Sequence, residues 1–186
     1  MGWGEAYLDH YTRYLGDPRG REVFRRNPQE SSIQILWYDK VFPGARVFCS
    51  LGLSHFADAI GRPAEVCLAS DGCLDECPTV LANVLFYLVG HQMQIGRGIV
   101  IGGIESIAPE FSRVSGKTAA YITQTFGFPE GFGEIEGAAG RGRIYWAFPI
   151  AEEEREFVRH SGADAFEDAL ERQGADPLSI GRDSIF

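Results

Sequence analysis

The chain has 186 residues, of which 45% are hydrophobic and 23% charged, with a formal net charge of -9. That length suits one ordinary domain with a sizeable core, and the excess of carboxylates excludes a surface built to grip a phosphate backbone or an anionic membrane. No segment reaches the roughly 18 apolar residues that span a bilayer, and the opening stretch has neither a basic region nor an apolar run. Residues 1–186 are therefore expected to form a single cytoplasmic domain, with Cys49, Cys67, Cys73 and Cys77 as thiols rather than disulfides.

Trp3, Tyr7, Tyr11, Tyr14 and Leu15 recur at helical steps and predict an amphipathic helix that Gly16, Asp17 and Pro18 terminate. Residues 17–32 carry Pro18, Gly20 and Pro28 among charges, and no element is expected there. Ile33–Tyr38 and Val47–Leu51 read as antiparallel strands around a turn at Pro43-Gly44, and Ala64–Ser70 as a third strand. The longest helix follows from Pro78 to His91, capped by Cys77 or Asp75. Its face of Val80, Leu81, Val84, Leu85 and Leu88, widened by Phe86, Tyr87 and Val89, predicts a helix buried on most sides.

Beyond His91, four glycines surround Ile99, Val100 and Ile101, which reads as a strand with bends. Thr118–Phe126 and Arg143–Ile150 are further strands, the second turning Ile144, Trp146 and Phe148 to one side. Glu152-Glu-Glu154 starts a helix that stops at Gly162. A second helix is expected from a capping box of Asp164 and Glu167 to Gly174, with Asp168 and Arg172 paired, and then an extended tail.

Three stretches invite chemistry. Gly131-Phe-Gly-Glu-Ile-Glu-Gly137 resembles a phosphate cradle, but no helix follows it, Gly137-Ala-Ala-Gly140 offers none, and Glu134 and Glu136 stand where phosphate charge would sit. It reads as a bent connection between strands, with no nucleotide or other cofactor. Gly52-Leu-Ser-His-Phe56 begins like a nucleophile elbow, yet Phe56 replaces the last glycine. Ser54 and His55, adjacent on a strand, would meet only if the chain bends there, and a Cys49 thiolate is the other nucleophile for a small hydrolase. Cys73 and Cys77 lack a second Cys or His pair at finger spacing, so no metal is expected. His10, His91 and His160 stand alone on ordinary helical faces.

Taken in order, His10-Tyr-Thr-Arg-Tyr-Leu-Gly16, Phe48-Cys-Ser-Leu-Gly-Leu-Ser54, Glu65-Val-Cys-Leu68, Phe128-Pro-Glu-Gly-Phe132, Ile144–Glu154 and Ala163–Gly174 resemble the suppressor of fused family in its short bacterial form. The resemblance implies an α+β fold, a mixed, largely antiparallel sheet packed with helices, and a non-catalytic protein-binding role. Bacterial members resemble immunity proteins that neutralise a cognate toxin, so the implied partner is a toxin domain rather than nucleic acid or membrane. A regulatory binding module unrelated to toxins stays open beside it. Glu134 and Glu136 are the candidate partner-binding residues, because a loop held by two strands presents charge without disturbing the core.

Overall fold

The computed structural model describes residues 2–137 and 140–186. Its centre is one mixed sheet of eight strands: β1 (Gly20–Phe24), β2 (Ile33–Phe42), β3 (Ala45–Leu51), β4 (Ala64–Ser70), β5 (Ile99–Gly102), β6 (Ala119–Thr123), β7 (Glu134–Gly137) and β8 (Gly140–Ile150). The strand order is β1-β2-β3-β4-β8-β6-β5, with β7 paired to the start of β8. Only β4 and β8 run parallel; Ala64 lies opposite Arg143 and Leu68 opposite Ala147. The expected α+β class and largely antiparallel sheet are what the structure shows.

Alternation along the strands divides the core in two. On one face, Ile33, Ile35, Val66, Leu68, Tyr145 and Ala147 pack with α3 (Cys77–Gly90). The short helices α2 (Ala57–Ile60), α4 (Ile104–Ile107) and α5 (Pro109–Ser115) flank it there. Val80, Leu81, Val84, Leu85 and Leu88 of α3 are all buried, as their spacing predicts, whereas Tyr87 is exposed. Neither Cys77 nor Asp75 caps this helix: its N-cap is Glu76, without a side-chain hydrogen bond, and Cys77 is already its first residue. Residues from the two opposite edges of the sheet, Phe24–Arg26 beyond β1 and Ile101–Gly102 on β5, line one cleft with Phe86 and Tyr87. Side chains of α3 thus bridge the two edges of the sheet at this cleft.

The other face buries Tyr38, Val47, Tyr121, Ile144, Trp146 and Phe148 under α1 (Trp3–Leu15) and α6 (Glu152–Gln173). Aromatic rings dominate this layer; Phe128 and Phe132 stack at 4.8 Å within the Phe128–Phe132 turn, and Tyr11 meets Tyr38 edge-on. His10 is buried here against the Phe132 carbonyl at 2.9 Å, and burial lowers its pKa. His91 and His160 are exposed, as expected for surface histidines.

Four expectations are corrected. Residues 20–24 form a strand; its residues are exposed or half-buried, so no apolar alternation announces it. The strand at Thr118 ends at Thr123, and Phe126 lies in the turn beyond. The glycine-rich connection contains β7, a hairpin arm on β8, while Ala138 and Ala139 of the Gly137–Gly140 link lie outside the described residues. The two helices expected after Pro149 are both present, one on each side of a kink at Gly162, whose φ of 84° and ψ of 173° are non-helical and readily adopted only by glycine; what differs is the pairing of the second helix's side chains. Asp164 and Glu167 form ion pairs with Arg97, and Arg172 donates to the Asp168 carbonyl oxygen instead of its carboxylate.

The tail after Gly174 is tied down at several points. Asp71 donates its N–H to the Leu178 carbonyl and accepts the Ile180 N–H at 2.8 Å. Arg182 forms a buried ion pair with Glu154, and Lys117, only 2% exposed, donates to the Arg182 carbonyl at 2.6 Å.

Candidate functional site

Ser54 and His55 do not come together. The chain does bend, because Gly52 adopts φ 112° and a Cβ there would stand 2.6 Å from the Ser32 carbonyl. The bend turns Ser54 inward and leaves His55 in solvent. Ser54 donates its hydroxyl to Glu65 at 2.8 Å, and Ser50 does the same at 2.5 Å. The N–H groups of Gly52, Leu53 and Ser54 also converge on that carboxylate, at 2.9, 3.2 and 3.1 Å. Glu65 is fully buried, and burial pushes its pKa up against the pull of these hydrogen bonds. With Ser54 only 3% exposed beside it, no substrate reaches the pair, and the cluster serves as a buried anchor for the turn after β3.

Cys49 lies opposite Cys67 across β3 and β4, fully buried. Burial, with the hydrogen bond to Cys67, drives its pKa well above the ordinary thiol value, away from the thiolate a nucleophile needs. Cys77 donates to the Cys73 carbonyl at 3.2 Å, and burial lifts its pKa to about 12. Among the described residues no group of three or more His, Cys, Asp or Glu is placed to hold a metal ion.

Glu134 and Glu136 are both exposed on β7. Each faces an arginine across the hairpin, Glu134 pairing with Arg143 and Glu136 with Arg141 at 3.6 Å. The hairpin is thus accessible but charge-balanced.

Beside it lie two adjoining clefts, of about 800 and 680 Å³, that share Arg97, Gln124 and Phe126. The second reaches the hairpin at Glu134 and Arg143. The first runs between Phe126 and the second half of α6, floored by Leu170, Ala175 and Pro177. Asp164, Glu167, Asp168 and Glu171, at successive helical steps, line it. Glu167 is the hub: it accepts from Arg97, from Tyr121 at 2.7 Å and from Thr123 at 2.6 Å. Burial alone would raise its pKa, but these hydrogen bonds outweigh it and hold the carboxyl below the usual value. Sequence reasoning missed both Glu65 and this cleft. A lone carboxylate inside the otherwise uncharged strand Ala64–Ser70 was the one signal for the former.

The class these observations define is an α+β domain of one mixed sheet, with some polar groups sealed inside and others spread along open surface clefts. The chain belongs to the suppressor of fused family: the profile of the Suppressor of fused protein (SUFU) family matches residues 29–183. A suppressor of fused homologue from Neisseria gonorrhoeae FA 1090 superposes with a TM-score of 0.76 at 19% identity, covering 99% of this chain and 97% of the other. A structure of the Sufu–Fu complex matches 98% of this chain and 91% of its own, with a TM-score of 0.72 at 15% identity. Drosophila Suppressor of Fused matches with a TM-score of 0.71 at 16% identity; 98% of this chain covers 51% of that one. At these identities the likeness establishes the fold. A search of curated proteins finds no match.

Proposed function

We propose that this chain is a non-catalytic protein-binding domain that binds and neutralises a cognate bacterial toxin. The observation that carries the binding part is membership of a family whose fold has been crystallised in a Sufu–Fu complex. The sealed positions of Ser54 and Cys49 argue against the hydrolase alternative, because a nucleophile must be reachable by its substrate. The toxin part rests on the likeness to short bacterial members, supported by the near-complete mutual coverage with the Neisseria homologue. The net charge of -9 suits encounter with a basic partner. Glu134 and Glu136 contribute as a polar rim beside the clefts. A regulatory module unrelated to toxins is the second reading, favoured by the complex with Fu.

Co-expression with the product of an adjacent toxin gene tests the proposal. The toxin should be lethal alone and harmless with this protein, and the two should elute as a one-to-one complex from a sizing column. Protection without a complex, or at strongly substoichiometric levels, would indicate catalysis and end the binding reading.

A further inference from the structure

Phe126 is 60% exposed, the most solvent-accessible of the large hydrophobic side chains among the described residues. It is nevertheless held in place. One side of its ring packs on buried Trp146, with centroids 4.9 Å apart at 58°, and Trp146 is in turn wedged against Phe128 and Phe148. An aromatic ring fixed from behind and open in front is a ready platform for a guanidinium or ammonium group, which the ring quadrupole attracts within roughly 6 Å.

The charges around that platform are unbalanced. Arg97 is the one cation in the first cleft, and it is already engaged: Nη1 is 2.6 Å from Asp164, while Nε and Nη2 bind Glu167. Asp168 and Glu171 are exposed and form no ion pair with described residues. The neighbouring Arg172 leaves the Asp168 carboxylate free, since its Nε goes to the backbone. Two accessible carboxylates therefore face an exposed ring over the apolar floor of Leu170, Ala175 and Pro177.

We infer that this cleft seats an extended, arginine- or lysine-bearing segment of a protein partner, with one cationic group over Phe126 and salt-bridged by Asp168 and Glu171. The inference rests on the protein-binding reading and names the surface and the chemistry it recognises. A segment fits better than a small cation because the clefts continue past Phe126. In the second cleft, Glu130 and Glu134 stand with Arg62 and Arg143, so a segment crossing Phe126 passes from an acidic trough into a mixed one. That change of character gives it a direction.

The probe is an acetylated, amidated hexapeptide alternating glycine and arginine, titrated at low salt into the ¹⁵N-labelled full chain. Amide shifts should cluster at Gln124–Phe126 and Asp168–Glu171, and the same peptide with glutamate in place of arginine should move none of them. Phe126→Ala and, separately, Asp168→Asn with Glu171→Gln should each weaken binding about tenfold or more while the unperturbed remainder of the spectrum reports an intact fold. Shifts spread evenly to remote carboxylates such as Glu105 and Glu110, or affinity unchanged in both variants, would overturn the assignment. The outcome separates from the toxin reading. Localised peptide binding without protection in co-expression removes the toxin and keeps the cleft, and undiminished one-to-one toxin binding by both cleft variants removes the cleft and keeps the toxin.

Discussion

Removing Arg182 and removing Glu154 should not be equivalent. The pair is buried, with side-chain exposures of 8% for Arg182 and 0% for Glu154, and is doubly bonded: Arg182 Nη1 meets Oε1 and Nη2 meets Oε2 at 3.1 Å. Glu154 also accepts the N–H of Ala151 at 2.8 Å and of Ile185 at 3.3 Å. Breaking a buried pair by removing one partner typically costs about 3–5 kcal/mol, because the other charge is left uncompensated. Here a third charge intervenes. Lys117 is buried against the Arg182 carbonyl; burial and Arg182 lower its pKa, whereas Glu154 raises it. Arg182→Met therefore leaves one buried cation with one buried anion, and its cost should fall at or below the low end of that range, roughly 3 kcal/mol. Glu154→Gln leaves two buried cations and should reach the high end, roughly 5 kcal/mol. For a chain of this size the difference corresponds to about 2–4 °C of Tm per kcal/mol. Urea unfolding of both variants at neutral pH decides it. Equal costs, or a larger loss for Arg182→Met, would show that Lys117 does not share in the charge balance.

Leu85→Ala, at a fully buried position on the α3 face, should lower stability by about 2–5 kcal/mol in the same assay, and a loss near zero would contradict the packing of α3 on the sheet. Glu167 has a folded pKa below its ordinary 4.5, so its contribution is present above that pH and fades as pH falls through the folded value. The deficit of Glu167→Gln relative to the parent should accordingly shrink below about pH 4.5, and a deficit independent of pH would remove the charge from the explanation. Reversing Glu134 and Glu136 to Lys replaces two cross-strand ion pairs with like charges, at a cost of up to roughly 1 kcal/mol per pair that 1 M salt should largely erase.

Elements with a buried face were legible because burial writes a period into the residues. Tyr7 and Tyr11 on α1, Val80–Leu88 on α3 and Ile144–Phe148 on β8 each declare their geometry. Where burial is weak the period vanishes: Gly20–Phe24 is an edge strand with no buried residue, and Ile104–Ile107 is one turn long. Gly162 was legible as a stop because glycine so often ends a helix, and the backbone there is indeed non-helical, with a second helix following the kink. The exposed positions of Glu134 and Glu136 were readable, but their arginine partners depend on the hairpin register, which glycines at both ends of the link leave unspecified. The cleft was out of reach for a different reason. Arg97, Phe126 and Glu171 are far apart in the chain, and only the tertiary fold brings them together.

The parallel contact of β4 with β8 has a consequence for biosynthesis. Ala64 finds its partner Arg143 only after the 79 further residues from 65 through 143 have been made, which at about 5–20 residues per second takes roughly 4–16 s. Until then one edge of a strand with every residue destined for burial stands open on the ribosome, flanked by the apolar surface of α3. An unpaired edge of that kind is a template for the wrong neighbour. Nascent chains of this protein should therefore depend on chaperone cover through the middle of synthesis, and truncations ending before β8 should aggregate rather than fold as smaller units.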